Sequence, residues 1–393
     1  MRVFLAAIVV ASLAGPAFAQ APSIPKYGEL EGKKPHELKA EKDAEAAYQK
    51  SLGRIPVPEK GGSSDPWGSV RSEGAPKAAP SKTVAKDPAA KRAKADGKSD
   101  GAAKERVTDT PTGHDLNADQ IAYWNGAAGQ RWTDRQASQD VLLAPVSELL
   151  IDRAGVGAGE RVFDVGCGCG GTAIALGQLT APAGHVLGID ISAPMLARAR
   201  QVTPAGLPVE FVLADATVFP FEPASFDLLA SRFGVMFFAE PALAFANMRR
   251  ALKPSGRLAF ACWREPRENP WMMAPLQAVY QHVPKMPPQG PEDPGPFAFA
   301  SEARVHRILG EAGFSDVAME PCNLTLDVAI GRGLDAAVEA VLEIGPAHRA
   351  LEGHPAEVVA AAKNSIRETL APFVSGQEVR LAGSIWIVTA KAS

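Results

Sequence analysis

The chain has 393 residues, of which 46% are hydrophobic and 22% charged, and its formal net charge is −3. Residues 1–113 carry a net +5, whereas residues 114–393 carry a net −8. Because proteins bind phosphate backbones through lysine and arginine, the acidic composition of the second part argues against a nucleic-acid substrate. The apolar fraction suffices for a buried core, and the change in composition near residue 114 predicts one folded domain behind a less ordered first part.

The chain begins with a basic residue, an apolar run and a small-residue triplet. Arg2 precedes the run 3–13, and the triplet AFA ends at Ala19. This order is typical of a secretory signal peptide that is cleaved after Ala19. The run is shorter than the roughly 20 residues that a membrane-spanning helix needs, and no later segment is long and apolar enough. We therefore predict a signal peptide over residues 1–19 and no transmembrane segment.

The next hundred residues divide into two predicted parts. Residues 20–72 include the charge-dense, helix-prone stretch HELKAEKDAEAAYQKSL, which predicts a small charged helical module. Residues 73–113 consist largely of Ala, Lys, Pro, Ser, Asp and Gly and contain no aromatic residue. Such a composition cannot bury enough apolar surface to order itself, so this part is predicted to be a disordered linker.

Past His114, predicted helices alternate with short apolar runs. One helix is expected from about Ala118 and a second from about Gln130, with apolar residues at helical spacing as far as Leu150. The predicted strands are 161–165, 185–189, 209–213, 226–231 and 257–262. Strands that alternate with helices in this way predict a parallel sheet covered on both faces. In such sheets, ligands bind beyond the carboxyl ends of the strands.

The first of these strands runs into a stretch that is almost without side chains, VFDVGCGCGG, residues 162–171. Its glycines precede a helix predicted from about Thr172, so a ligand could lie directly against the main chain. The spacing Gly166-x-Gly168-x-x-Gly171 also fits a dinucleotide-binding fingerprint. Asp164 favours a different ligand, because a carboxylate at the end of the strand would repel a pyrophosphate and attract an ammonium or sulfonium group.

Two further acids follow the next two predicted strands. Asp190 ends the second strand, where a carboxylate can accept hydrogen bonds from both hydroxyls of a ribose. Asp215 follows the third strand, where it can accept a hydrogen bond from an adenine amino group. Any one of these acids could instead cap a helix or lie in an exposed turn. Three acids at three successive strand ends indicate a binding site.

These motifs resemble the class I S-adenosylmethionine-dependent methyltransferases, in particular a small-molecule branch similar to the quinone-biosynthesis enzymes. Five motifs occur in order: VFDVGCGCGG, GIDIS with the following Met195, LADA, SFDLLASRFGVMFF and LKPSGRLAF. The resemblance covers residues 115–393 and implies a methyltransferase domain over 114–393. It implies an α/β fold, a Rossmann-like, doubly wound sheet of seven strands. Helices near 301–312, 334–344 and 356–373, with strands near 317–328 and 379–390, would complete it.

The resemblance also implies S-adenosylmethionine as the cofactor and assigns residues to it. Gly166 and Gly168 would face its amino-acid part, with Asp164 at the amino group. Asp190 would hold the ribose. The complete set of cofactor-binding residues implied is Asp164, Gly166, Gly168, Asp190, Ile191, Met195, Asp215, Ala216 and Ser231. The segment YWNGAAGQRW, residues 123–132, resembles the part of this branch that helps to close over the cofactor.

The sequence is less informative about the residues that would bind the methyl acceptor. Arg232 is the substrate-side candidate, and it would bind an acidic acceptor, bind the carboxylate of the cofactor, or form a surface ion pair. No histidine stands out as a general base, no metal site is expected, and all four cysteines are predicted to be reduced. Residues 265–300, with Trp271 and Met272, would form either a lid over a hydrophobic small-molecule acceptor or ordinary core.

Two other functions are compatible with parts of the sequence. A nicotinamide-dependent oxidoreductase, using NAD(P), would share the glycine loop, and an exported non-catalytic binding protein would explain the signal peptide. The export signal conflicts with an enzyme whose cofactor is made in the cytosol. One alternative is that the enzyme is periplasmic or secreted. The other is that the enzyme is cytoplasmic and that the N-terminal part belongs to a separate exported protein, joined to it by gene fusion or by an error in the gene model.

Overall fold

The computed structural model describes residues 116–290, 292–343 and 345–392. The predicted signal peptide, helical module and linker lie outside the described residues. Among the helices of the described part, none combines the length and the apolar character that crossing a membrane requires.

Four short helices precede the sheet: α1 (Ala118–Asn125), α2 (Ala127–Asp134), α3 (Gln136–Leu142) and α4 (Ala144–Ala154). The sequence predicted one helix from about Gln130 to residue 150, and this prediction was wrong in its extent. The backbone leaves the helical conformation at Arg135 (φ −105°, ψ 7°) and again at Leu143 (φ −96°, ψ 5°). Pro145 contributes to the second break. Proline lacks the N–H that a continuous helix would need at this position, but it is tolerated in the first turn of a new helix.

Eight strands form one mixed sheet in the order β3-β2-β1-β4-β5-β8-β6, with β7 paired to β8 beside this path. The bounds are β1 (Arg161–Val165), β2 (His185–Asp190), β3 (Val209–Leu213), β4 (Phe226–Arg232), β5 (Leu252–Trp263), β6 (Ser315–Asp327), β7 (Val374–Ser375) and β8 (Glu378–Lys391). Strands β1 to β5 are parallel, whereas β8 is antiparallel to both β5 and β6. The seven predicted strands lie side by side, and the two-residue β7 is additional.

The centre of the sheet is buried, and helices form three of the four connections between its consecutive parallel strands. In β1 every residue after Arg161 is buried, as expected of a parallel strand covered on both faces. The connecting helices are α5 (Gly171–Thr180), α6 (Ala193–Val202) and α7 (Pro241–Ala251). Because β1 to β4 run in the same direction, their carboxyl ends meet at one edge. The fold is therefore Rossmann-like, and the acids that end its strands share that edge.

The C-terminal helices build a second apolar cluster beside the main core. They are α8 (Pro270–Val279), α10 (Gly333–Glu343), α11 (Pro346–Leu351) and α12 (Ala356–Leu370), whereas α9 (Glu302–Glu311) buries its apolar residues in the main core. The cluster is centred on Val279, Val338 and Ile366, all fully buried. Trp271 packs against both clusters and Met272 belongs to the main core. The apolar residues of the segment 265–300 are therefore core, which was the second of the two predicted alternatives.

Candidate functional site

A cleft lies at the carboxyl ends of β1 to β4. Nine of the ten residues predicted for the cofactor and the acceptor line it: Asp164, Gly166, Gly168, Asp190, Ile191, Met195, Asp215, Ala216 and Arg232. The tenth, Ser231, does not. The structure adds residues that sequence reasoning did not single out, chiefly Asn117, Gln120, Trp124, Trp132, Asp140, Phe233, Phe237 and Phe238.

The floor of the cleft is the glycine loop between β1 and α5. Gly166, Gly168 and Gly170 have φ angles of +65°, +54° and +86°, a conformation that residues with side chains rarely adopt. A Cβ on Gly168 would lie 2.8 Å from Cε of Met195. The loop therefore presents main chain to the cleft, as the sequence predicted, and Met195 closes over it.

The cysteines of this loop fill space. All four cysteines of the chain are free and buried. Burial raises the pKa of the Cys169 thiol to about 12, with the Asp140 carboxylate adding to the shift. Such a thiol stays protonated, which makes it a poor nucleophile and a poor metal ligand.

Asp164 is a buried carboxylate without a hydrogen-bond partner. The residue is 1% exposed, and neither side-chain oxygen has a partner among the described residues. Burial raises the pKa of Asp164 to about 7; the charge of Arg232 and the backbone N–H of Ala173 oppose this shift, and the charge of Asp190 adds to it. A buried carboxylate in this state gains most from a cationic ligand placed against it. The position agrees with the role that the sequence suggested for it.

Asp190 is more than a candidate ribose ligand, because it already joins two loops. Its Oδ2 accepts a hydrogen bond from the Gly168 N–H at 2.7 Å, and its Oδ1 accepts one from the Ser192 N–H at 2.8 Å. Burial raises its pKa, and these backbone N–H groups oppose the shift. Each carboxylate oxygen has a further lone pair, so the group can still accept hydrogen bonds from a ligand.

Asp215 is fixed by a residue from the start of the described chain. Its Oδ2 accepts from Asn117 Nδ2 at 2.8 Å, and its Oδ1 accepts from the Thr217 N–H at 2.8 Å. Asn117 is 3% exposed and also accepts from the Ala239 N–H, so it joins the segments that follow β3 and β4. The neighbouring Ala216 carbonyl accepts from Asn247 Nδ2 at 2.9 Å.

Ser231 has a different position from the predicted one. Its side chain is fully buried, and its hydroxyl donates to the Val165 carbonyl at 2.7 Å. The same oxygen accepts from the Gly234 N–H at 3.1 Å. Both hydrogen-bond partners of the hydroxyl are thus protein backbone groups. Ser231 joins the end of β4 to the end of β1 and does not face the cleft.

Arg232 lines the cleft and is held by two partners. Its Nη1 donates to Ser147 Oγ at 2.8 Å, and its Nη2 donates to Asp140 Oδ1 at 3.2 Å. The side chain is 12% exposed, so the pair is not a surface ion pair. Among the three predicted alternatives for Arg232, a ligand-facing position agrees with this geometry.

The N-terminal helices close one side of the cleft. The Ser192 hydroxyl donates to the Trp124 carbonyl at 2.7 Å, and Asn125 Nδ2 donates to the Ile191 carbonyl at 2.8 Å. The Ala193 N–H in turn donates to Asn125 Oδ1 at 2.9 Å. These bonds fix the segment YWNGAAGQRW against the loop after β2, where Trp124 and Trp132 reach the cleft. The motif itself was the signal that could have pointed to Trp124 and Trp132.

The residues present fit a cationic, adenosine-containing cofactor. Asp164 is an unpartnered carboxylate for an ammonium group, and the glycine loop is a cradle that side chains would fill. Asp190 and Asp215 follow on the next two strands with accessible acceptor capacity. A pyrophosphate would meet four carboxylates in the same cleft and only one basic side chain among the lining residues.

The family model and the curated relatives that match this chain are methyltransferases. Residues 163–260 match a family model described as a methyltransferase domain. A demethylmenaquinone methyltransferase from Renibacterium salmoninarum is 29% identical over 184 residues, which cover 44% of this chain and 75% of that protein. One from Staphylococcus aureus is 39% identical over 102 residues, 26% of this chain and 42% of that protein. The solved YcgJ protein of Bacillus subtilis has 17% identity and a TM-score of 0.42, covering 63% of this chain and 98% of its own.

Proposed function

We propose that this chain, which is a class I S-adenosylmethionine-dependent methyltransferase, transfers the methyl group to a small hydrophobic acceptor. The observation that supports this acceptor class is the aromatic lining of the cleft: Trp124, Trp132, Phe233, Phe237 and Phe238. Trp124 meets Phe237 edge to face, with 5.3 Å between ring centroids and an interplanar angle of 83°. Such a wall binds apolar molecules and excludes water from the reacting groups.

S-adenosylmethionine is the cofactor, and it supplies a methyl group already activated by the sulfonium. In the proposed assignment, Asp164 holds the ammonium group of the amino-acid part, beside the backbone of Gly166 and Gly168. Asp190 holds the ribose hydroxyls. Asp215 and Ala216 contact the adenine edge. These assignments follow from the resemblance and are compatible with the positions described above.

The chain's own contribution to the chemistry would be alignment and the exclusion of water. Methyl transfer from a sulfonium is an in-line displacement that needs no protein nucleophile. None of the residues that line the cleft is a histidine. A general base is needed only if the acceptor is a poor nucleophile in its protonated form. A hydrophobic acceptor with an acidic hydroxyl or an activated ring carbon would suit such a site.

Two relatives are named demethylmenaquinone methyltransferases, which makes a reduced demethylmenaquinone the first acceptor to test. This chain spans 75% of one of these relatives and 42% of the other, so the acceptor is a proposal. The two alternatives gain no support. A nicotinamide dinucleotide would place its pyrophosphate near Asp164, and a non-catalytic binding protein would not require acids at three successive strand ends.

The test is methyl transfer from labelled S-adenosylmethionine to a panel of acceptors by the purified full chain. The panel holds a short-chain reduced demethylmenaquinone, other hydrophobic phenols, and polar acceptors of similar size. We expect transfer to hydrophobic members, and a large loss of transfer with Phe237→Leu. Phe373→Leu is the matched control, because Phe373 is 41% exposed and does not line the cleft. Transfer only to polar acceptors would contradict the proposal.

A further inference from the structure

The charges that line the cleft are unequal in number. Four carboxylates, those of Asp140, Asp164, Asp190 and Asp215, face one basic side chain, Arg232. S-adenosylmethionine carries two cationic groups and one carboxylate. Among the residues that line the cleft, Arg232 is therefore the only fixed cation available to that carboxylate, and a guanidinium is well suited to bind one.

Arg232 already has a carboxylate partner within the protein. Its Nη2 lies 3.2 Å from Asp140 Oδ1, with 12% and 30% of the two side chains exposed. This distance is longer than the about 2.7–2.9 Å typical of strong charge-assisted hydrogen bonds. The Nη1 of Arg232 is held separately by Ser147 Oγ at 2.8 Å. The guanidinium can therefore exchange one partner without losing its anchor.

Asp140 also has a second partner, which does not involve Arg232. Gln136, one turn earlier on α3, donates from Nε2 to Asp140 Oδ2, and Gln136 Oε1 accepts from Arg198 Nε at 3.3 Å. Asp140 would keep this amide partner if Arg232 were bound elsewhere. Its Oδ1 lies over the start of α5, where a Cβ built on Gly171 would be 2.7 Å away. The carboxylate therefore lies beside the glycine loop that faces the amino-acid part of the cofactor.

We propose that Asp140 is an internal competitor of the cofactor: it pairs with Arg232 and is displaced from it by the carboxylate of the amino-acid part. Asp164 then serves the ammonium and Arg232 the carboxylate of the same amino-acid group. The inference rests on the proposed function. It makes Asp140 a positioning residue that lowers cofactor affinity, because a ligand carboxylate can bind Arg232 only if the Asp140–Arg232 pair is broken.

The test compares S-adenosylmethionine with its decarboxylated form, which keeps the adenosine, the sulfonium and an ammonium group but lacks the carboxylate. Calorimetry on the full chain should show tighter binding of the carboxylated ligand by about tenfold, as expected for one charge-assisted contact. Arg232→Gln should abolish this preference. Asp140→Asn should tighten S-adenosylmethionine severalfold and should not tighten the decarboxylated ligand, which has no carboxylate for Arg232.

Asp134→Asn is the matched control. Asp134 Oδ1 accepts from Gln130 Nε2 at 2.9 Å with the same spacing on α2, outside the residues that line the cleft. We expect it to leave both affinities unchanged. Thermal unfolding of each variant verifies that it is folded.

Several outcomes would overturn the inference alone. Wild-type protein that binds both ligands equally, or Asp140→Asn that weakens both alike, would do so. If Arg232→Gln kept the preference between the ligands and instead weakened an acidic acceptor, the carboxylate that Arg232 binds would come from the acceptor, and the inference would be wrong. Failure of the wild-type protein to bind either ligand would overturn the proposed function itself.

Discussion

Gly166 and Gly234 meet backbone to backbone where the loops after β1 and β4 cross. A Cβ built on Gly166 would lie 2.5 Å from Cα of Gly234, and one on Gly234 would lie 2.4 Å from the Val165 carbonyl oxygen. Real Cβ atoms do not approach backbone this closely. The Ser231 hydroxyl fixes the same crossing through its bonds to Val165 and Gly234. The position of the glycine loop thus depends on a second glycine some seventy residues later.

Gly234→Ala should therefore lower the free energy of unfolding by about 1–3 kcal/mol, the usual cost of overpacking a tight site. It should also weaken cofactor binding, because Gly166 must move with it. Urea denaturation and calorimetry measure the two effects. Gly310→Ala is the control, since a Cβ there meets nothing within 4 Å and alanine is favoured in a helix. Equal stability of the two variants would show that the crossing tolerates a side chain.

The buried carboxyl of Asp164 predicts a specific pH dependence. Its pKa is raised in the folded protein to about 7 from an ordinary 3.8. Folding is therefore favoured when the group is protonated, and that contribution is lost as the pH rises from about 4 to about 7. Asp164→Asn should stabilise the protein at pH 8 by at most about 4 kcal/mol and by progressively less toward pH 4. Urea denaturation at several pH values gives the comparison.

The same variant should bind S-adenosylmethionine more weakly, because the ammonium group loses its counter-ion. In the wild type, binding near pH 6 should release a proton, measured as a dependence of the binding enthalpy on the buffer.

Asp227→Asn is a control of opposite sign for the stability prediction. Asp227 accepts from Lys253 Nζ and the Arg161 N–H, so its replacement should destabilise the protein at pH 8. A stability profile of Asp164→Asn parallel to that of the wild type would contradict the prediction.

Asp190→Ala should reduce both cofactor affinity and stability. The ribose-binding role that the resemblance implies for Asp190 predicts only a loss of ribose contacts. The structure shows that the change would also strip acceptors from the buried N–H groups of Gly168 and Ser192. Each unsatisfied buried donor costs about 1–3 kcal/mol. Asp190→Asn keeps one acceptor oxygen and should recover part of the stability. If Asp190→Ala had the same free energy of unfolding as the wild type, water would replace these hydrogen bonds.

Asn117→Ala should destabilise the domain by about 1–3 kcal/mol, because it removes buried hydrogen bonds to Asp215, Thr217 and Ala239. Cofactor affinity should also fall, since Asp215 would lose the group that orients it. Asn125→Ala offers a comparison with an exposed asparagine that binds the neighbouring loop. Exposed hydrogen bonds contribute less, so a larger effect at Asn125 than at Asn117 would contradict this order.

A fragment of residues 107–393 should fold and bind S-adenosylmethionine without the rest of the chain, because the five motifs and the cleft lie within it. Calorimetry on the fragment and on the full chain should give the same affinity. We further propose that the methyltransferase acts in the cytoplasm, where its cofactor is made, and that residues 1 to about 106 derive from a separate exported protein. Fractionation of cells with N-terminal sequencing of the mature protein checks this proposal. A cleaved periplasmic form that carries the whole domain would contradict it.

The parts of the site that the sequence predicted share one property: they follow a strong local pattern. Asp164, Asp190 and Asp215 each end an apolar run, so the strand pattern alone places them at one edge of the sheet. Asn117 and Asp140 are isolated polar residues on or next to short helices, and only tertiary docking brings them into the cleft. Ser231 does not line the cleft, because the direction of its hydroxyl depends on the crossing of two loops, which no local pattern encodes.

The antiparallel strand β8 lies between β5 and β6 and supplies hydrogen bonds to both. During synthesis, β5 emerges with one edge unpaired, and β6 emerges with no neighbour in the sheet, until the helices α10 to α12 and then β8 have left the ribosome. Unpaired strand edges are templates for association with other chains. Nascent chains that stall before Glu378 should therefore be substrates for chaperones or precursors of aggregates, even though the cofactor cleft is already encoded.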